Sequence, residues 1–418
     1  MASGVAFAQQ PSGPADAHVP PAASPTPEPP KPEPKQDAGK PLAPAPAEPS
    51  KPETEKPFSV GIIGFVRAGY ENVQTDDRYA FVGRNSGFVL DGARVGVEGQ
   101  SARYGVSFRV SVEGAAPVQG GTNTPSASLD VRLRDAFGRY DPFPFLGVQV
   151  GQFRAPFQGE ELLPLADLMF ASRALGIEGV LPARGLEQPG LSLGRQLGIM
   201  LSPAKLIGGG GSATRGVDER TNKDPSEGFG FNYAVMLMNG NGQDQWLNDN
   251  KSLGVVGRVE GVYEQHATLG LAAFRNDRTT GALPNIYSEE DTGITADLRL
   301  RWFGIELFGA LTQQSTAYPT VGASKRSQLA YNAQLGYEIH APGFRLMPAY
   351  RYAYFHPWQS GGTNDEFKAF RLTYHTLGLR FTHDKLPVSA WLNYTITQEP
   401  SPRTLDNNRV QLLGQVAF

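Results

Sequence analysis

Residues 145–157 read F-L-G-V-Q-V-G-Q-F-R-A-P-F, and residues 160–176 read E-E-L-L-P-L-A-D-L-M-F-A-S-R-A-L-G. In the first segment Leu146, Val148 and Val150 alternate with Gly147, Gln149 and Gly151, the pattern of a strand with one apolar face and one polar or small face. Pro156 ends it. The second segment is too long and too apolar for a surface connection, because Leu162, Leu163, Leu165, Leu168, Met169 and Phe170 need a wall to pack on. It reads as a loop, 156–190, folded back into the body that the strands enclose. If those strands close on themselves, the loop narrows the opening.

Outward from this stretch the period stays at two. Sixteen strands are expected, at 58–72, 88–100, 103–114, 129–140, 145–155, 191–203, 228–239, 251–263, 266–277, 292–303, 305–314, 327–340, 343–356, 369–382, 386–399 and 408–418. In the third, Tyr104, Val106, Phe108, Val110 and Val112 oppose Gly105, Ser107, Arg109, Ser111 and Glu113. In the tenth, Ile294, Ala296, Leu298, Leu300 and Trp302 oppose Thr295, Asp297, Arg299 and Arg301. One set suits lipid and the other water.

The connections supply a second test. Short turns at 101–102, 141–144, 265, 304, 341–343 and 383–385 alternate with longer polar loops near 73–87, 115–128, 156–190, 240–250, 278–291, 315–326, 357–368 and 400–407. Such parity fits a transmembrane antiparallel β-barrel of about 16 strands, with brief turns at one rim and long loops at the other. The link 204–227 falls where a short turn is due and reads as an insertion at the turn end. The last strand ends in Phe418, with Val410, Leu412, Gly414 and Val416 on the same face, like the terminal recognition strand of an outer-membrane barrel. Tyr350, Tyr352, Tyr354, Phe355 and Trp358 lie near predicted strand ends and are expected to form part of an aromatic girdle.

Composition agrees. The chain has 418 residues, no cysteine and 49 glycines, and no stretch approaches the ~18 consecutive apolar residues of a membrane helix. Without cysteine there is neither a disulfide framework nor thiol chemistry. Net charge is −3, which identifies no polyanionic partner and gives no sign of nucleic acid. All 27 arginines follow residue 57, where only six lysines occur. Residues 1–8 end in Ala6-Phe7-Ala8 and read as the remnant of a signal peptide. Residues 9–57 are dense in Pro, Ala, Glu and Lys, which predicts a disordered periplasmic extension that acts as a spacer or contacts cell-wall components. The barrel domain is then 58–418.

G-Q-F-R-A-P-F at 151–157, E-E-L, the later S-R-A-L and G-R-Q-L-G-I-M-L-S from Gly194 resemble the phosphate-selective porin O and P family of bacterial outer membranes. The resemblance implies a sixteen-stranded homotrimeric anion channel. It extends, less specifically, over 58–418.

Placing the polar face of each strand inward lines the lumen with Arg67, Arg94, Arg109, Arg132, Arg134, Arg258, Arg299, Arg301, Arg345, Arg351 and Arg409, interleaved with Glu98, Glu113, Asp130, Glu260, Asp297, Glu306 and Glu338. Arginine suits an anion path because guanidinium keeps its charge and offers forked donors to oxyanions. It also suits a wall, as with Arg258 beside Glu260. The expected anion pathway is Arg109, Arg132, Arg134, Arg154, Arg173, Arg184, Arg299 and Arg301. The loop 156–190 holds four glutamates and one aspartate against Arg173 and Arg184, with no lysine, which weakens the case for phosphate specificity. Neither a nucleophile beside a histidine nor a metal-ligand spacing is present, so no enzyme and no cofactor is expected. Passive diffusion of small hydrophilic solutes with an anion preference is the leading expectation. A general or carbohydrate diffusion porin, or a structural or adhesive barrel tethered by its Pro-rich arm, are the competing ones.

Overall fold

The computed structural model describes residues 58–115, 130–181, 183–208, 228–242, 245, 247–282, 284–319, 323–359 and 370–418. The expected signal peptide, the extension 9–57 and most of the link 204–227 lie outside them.

Sixteen antiparallel strands close into one barrel: β1 Ser59–Val73, β2 Gly87–Ser101, β3 Val106–Ala115, β4 Asp130–Phe143, β5 Leu146–Arg154, β6 Arg195–Ser202, β7 Phe229–Met238, β8 Gly254–Tyr263, β9 Ala267–Ala282, β10 Asn285–Trp302, β11 Ile305–Tyr318, β12 Ala323–Tyr337 with its short continuation Ile339–Ala341, β13 Phe344–His356, β14 Leu372–His383, β15 Val388–Gln398 and β16 Arg409–Ala417. Each pairs with its neighbours in sequence. Closure comes from β1 against β16, in register from Phe65 opposite Ala417 to Val73 opposite Arg409. Gly64 and Phe418 complete the seam by exchanging two backbone hydrogen bonds of 2.9 Å. Among the described residues, no barrel strand is left with an unpaired edge for lipid to desolvate.

The burial pattern is that of a water-soluble protein turned inside out. Val95, Val97, Val110, Leu269, Leu271, Leu377 and Leu412 are exposed on the outer face, whereas Arg94, Arg109, Glu113, Asp297, Glu306 and Arg409 are buried on the inner one. Only an apolar solvent around the barrel makes such an arrangement favourable.

Three expectations need correction. The regions 278–291 and 315–326 are not loops for most of their length: β9 and β10 stay paired out to Ala282 opposite Asn285, and β11 runs on to Tyr318. Polar residues on both faces, such as Asp277, Arg278, Glu289 and Glu290, let this ladder continue beyond the apolar belt. The third strand starts at Val106 and not at 103, because Gly105, at φ +62°, still belongs to the turn that carries Tyr104. Phe355 is no girdle residue. It points inward and is fully buried against Leu175 and Val180 of the inward loop. Tyr350, Tyr352 and Tyr354 do face outward, where Tyr331 stacks on Tyr354 at 4.7 Å.

Candidate functional site

The long connection between β5 and β6 descends into the barrel, as its apolar content required. Phe157 is fully buried against Phe274, at 4.8 Å between ring centres, in a cluster with Met236, Met238 and Val256. Three short helical turns follow, α-helical at Gly159–Leu162 and Leu175–Glu178 and 3-10 at Leu165–Asp167. At its deepest the loop meets the wall near the turn end, where Met169 and Phe170 pack on Phe308, Met347 and Ala349. The loop then rises, and Leu175, Val180 and Leu191 pack on Ala330, Ala353 and Phe355.

Wall side chains satisfy the backbone of this irregular segment, which would otherwise carry unpaired carbonyls at membrane depth. Arg258 on β8 donates to the Phe157 carbonyl at 2.8 Å, while its other donors hold Asp297 and Glu260. Gln158 donates to Thr312 on β11 at 3.1 Å. Arg351 on β13 donates to the Ser172 carbonyl at 2.8 Å and lies 4.5 Å over the Phe170 ring. Arg380 on β14 and Trp391 on β15 both donate to the Leu168 carbonyl, at 3.3 and 3.1 Å. At the loop's far end Arg184 grips Glu71 on β1 with two bonds of 2.7 Å. These anchors run round the wall from β8 to β15 and on to β1.

Strands β2 to β4 bring a different lining to the lumen. Glu113 accepts from Arg94 and from Arg134, each Nε at 2.8 Å, so one carboxylate is shared by two guanidinium groups. Arg132 stands directly across from Glu113 in the ladder and is exposed. Arg109 pairs with Glu98 at 2.6 Å and is buried. At the end of β5 Arg154 donates to the Leu163 carbonyl at 3.2 Å, and on the loop Arg173 donates to the Glu161 and Leu163 carbonyls at 3.0 and 2.8 Å. Both are half-buried.

The structure therefore divides the eight arginines of the expected pathway. Arg132 and Arg134 lie on β4 around Glu113, and Arg154 and Arg173 converge on the Leu163 carbonyl of the loop. Arg109 and Arg184 sit in ion pairs at the wall. Arg299 and Arg301 are elsewhere, near the turn end, where both bind Glu306 at the edge of a cavity of about 700 Å³ beneath the loop. In that cavity Glu338 is shared in the same way by Arg345 and Arg380, at 3.5 Å each.

Several lumen residues escaped the alternation rule. A bulge between Ser111 and Val112 gives β4 an additional residue at Arg134, so the inward parity changes and Asp135 and Arg139 also face the lumen. Asp135 accepts from Arg195 at 2.9 Å and from Ser111 at 3.0 Å, and Arg139 donates to Ser202 at 2.7 Å. Nothing in the local sequence marks that bulge. Arg380 was legible, since Leu377 and Leu379 beside it mark the outer face. Among the described residues no group of His, Asp and Glu is arranged to hold a metal ion.

No family model matches the sequence, and no curated protein matches it. Solved structures with a similar fold are bacterial outer-membrane proteins. The anion-selective porin from Comamonas acidovorans has 15% identity and a TM-score of 0.55 over 86% of this chain and 100% of that one. OmpT of Vibrio cholerae in its trimer form has 9% identity and a TM-score of 0.55 over 87% and 100%. The outer membrane channel DcaP of Acinetobacter baumannii has 12% identity and a TM-score of 0.52 over 86% and 97%. At these identities the likeness is one of fold: a porin-like β-barrel.

Proposed function

We propose that this chain is an outer-membrane porin that passes small hydrophilic solutes down their gradients, with a preference for anions. The observation that carries this reading is the asymmetry of the lumen. A loop anchored from β8 round to β1 faces β2 to β4, where Arg94 and Arg134 share the single carboxylate of Glu113 and Arg132 stands across the ladder from it. An excess of fixed positive charge in a narrow wetted passage raises the local concentration of anions and repels cations. Arg154 at the end of β5 and Arg173 on the loop add to it.

In this reading the turn end faces the periplasm. Residues 9–57 extend there as a spacer or as a contact to the cell wall, and 58–418 form the channel domain. The chain assembles as a homotrimer, as the Vibrio cholerae protein does in its trimer form. The outer face of β3 to β5 offers a contact for a second copy: an apolar notch lined by Phe108, Gly138, Tyr140, Val148 and Val150.

Reversal potentials in planar bilayers test the selectivity. Under a KCl gradient the proposal expects chloride to permeate better than potassium, and replacement of chloride by phosphate keeps the sign. A reversal potential near zero favours a general diffusion porin, and absence of conductance from an inserted barrel favours a structural one.

A further inference from the structure

The far arm of the inward loop is held where two long loops of the outer rim meet. The Ala183 carbonyl accepts the Gly83 amide at 2.9 Å, and the Arg184 carbonyl accepts the Asn407 side-chain amide at 3.1 Å. Leu186 and Phe81 pack on a small buried cluster of Val73, Val82 and Leu405. Asp76 ties the two rim loops together, accepting from the Arg78 backbone and the Asp406 backbone at 2.8 Å each, while Arg78 reaches the Thr404 carbonyl. At the centre lies Glu399. One of its oxygens accepts from the same Asn407 amide at 3.3 Å, the Leu405 backbone amide lies close enough to favour the ionised form, and no side chain donates to the other oxygen.

An ionised carboxylate is a poor occupant of that position. Asp76 from residues 74–86, Arg403 from its own segment and Tyr374 from the wall interact with it, and behind them stand Arg78 and Asp406 around Asp76, and Arg184, Glu178, Glu71 and Arg409 around one another and Tyr374. Two of the four cations are engaged elsewhere, Arg184 with Glu71 and Arg78 with Asp76, and Arg403 alone among them acts directly on Glu399 in favour of its ionised form. The hydrogen bonds from Arg78 and from the Asp406 amide keep Asp76 ionised far below the usual carboxylate range, so a permanent negative charge lies beside Glu399.

We propose that the junction of residues 74–86, 183–186 and 399–408 is a pH-dependent latch on the inward loop, closed when Glu399 is protonated and released when it ionises. The conformational step lies in the arm beyond Ala183, which is held at φ +63° and relaxes when the junction opens. Burial is the largest cause that raises Glu399, to about 7, from the 4.5 of a solvated glutamate. The sign follows by linkage. A carboxyl raised in the closed state favours closure below about 4.5 and loses that contribution as pH rises through about 7, so the opening constant should grow about tenfold between pH 6 and pH 8. As a gate, the latch rests on the channel reading; as a junction that opens, it does not.

Hydrogen exchange on the purified full chain in detergent therefore tests it without reference to transport. After correction for intrinsic exchange rates, peptides covering 74–81, 82–92 and 183–193 should lose about tenfold in protection between pH 6 and pH 8. Glu399→Gln, which keeps a neutral hydrogen-bonding group, should stay protected at both. Asn407→Ala, which cuts the bond to the inward loop, should be poorly protected at both. In bilayers the wild type should show larger current fluctuations at pH 8 than at pH 6, and Glu399→Gln should remain quiet. Equal wild-type protection at both pH values would overturn the latch even if no variant folds. So would a Glu399→Gln protein that keeps the wild-type pH dependence, or Asn407→Ala protection equal to wild type.

Discussion

Arg184 and Glu71 face each other across the mouth of the barrel, Nε and Nη2 of the loop residue each 2.7 Å from an oxygen of the strand residue. Both are largely sheltered, with side-chain exposures of 13% and 10%. Removing one partner of such a pair leaves an uncompensated charge and typically costs about 3–5 kcal/mol. Arg184→Ala should accordingly loosen the rising arm of the inward loop, which shows as easier proteolysis near residue 184 and as a lower temperature of unfolding in detergent. Glu71→Gln, which keeps a hydrogen-bond acceptor, should do so less. If the two variants match wild type in both measurements, the pair is not an anchor.

Gly378 faces the lumen, and a Cβ placed on it would lie 2.7 Å from the Phe170 ring. Its lack of a side chain is what lets the loop lie against β14. Gly378→Val should expel Phe170, an overpacking penalty of about 1–3 kcal/mol, and displace the deepest part of the loop. The barrel should still insert, because the outward residues of β14 are untouched. Single-channel conductance should change and become heterogeneous. An unchanged, uniform conductance would show that Phe170 does not limit the passage.

Residues 9–57 carry too few large apolar side chains to contribute to a core. Deleting them, behind a complete signal peptide, should leave a folded barrel with wild-type conductance. A barrel that fails to fold without them, or that conducts more, would assign the extension to stapling or plugging.

The barrel and its inward loop were legible because both rest on patterns that the solvent imposes: alternation under lipid and water, and an apolar loop that water would not tolerate. The limits have a physical origin as well. Polar-inside and apolar-outside holds only where water fills the lumen, and the loop turns part of the lumen into an ordinary protein core. Phe153, Met200, Met236, Phe308, Phe355 and Trp391 face inward for that reason, and the clustering of aromatics near strand ends assigned Phe355 to the girdle although it shares the inward parity of Arg351. Parity also fails after a bulge, where a single added residue turns every later side chain to the other face. Asp135 and Arg139 are such cases. Which arginines line the path and which brace the wall depends on partners far away in sequence, as Arg184 and Glu71 illustrate.

Arg132 and Arg109 now make opposite predictions, although alternation placed both in the lumen. Arg109 is buried beside Glu98, so Arg109→Ala removes a wall pair and should lower stability while moving the reversal potential little. Arg132 is exposed, and Arg134 keeps 28% of its side chain accessible beside a Glu113 that Arg94 already serves. Replacing both Arg132 and Arg134 by Ala takes two positive charges from the passage and leaves the Arg94–Glu113 pair in place. Anion-over-cation permeability should fall at low ionic strength, and the difference should shrink as salt is raised, since screening acts over about 10 Å at 0.1 M. The inserted fraction and the heat-modifiability of the double variant should match wild type. A low-salt reversal potential that is unchanged in Arg132→Ala/Arg134→Ala, or one that shifts as much in Arg109→Ala, would remove the opening between the loop and β2 to β4 from the anion path.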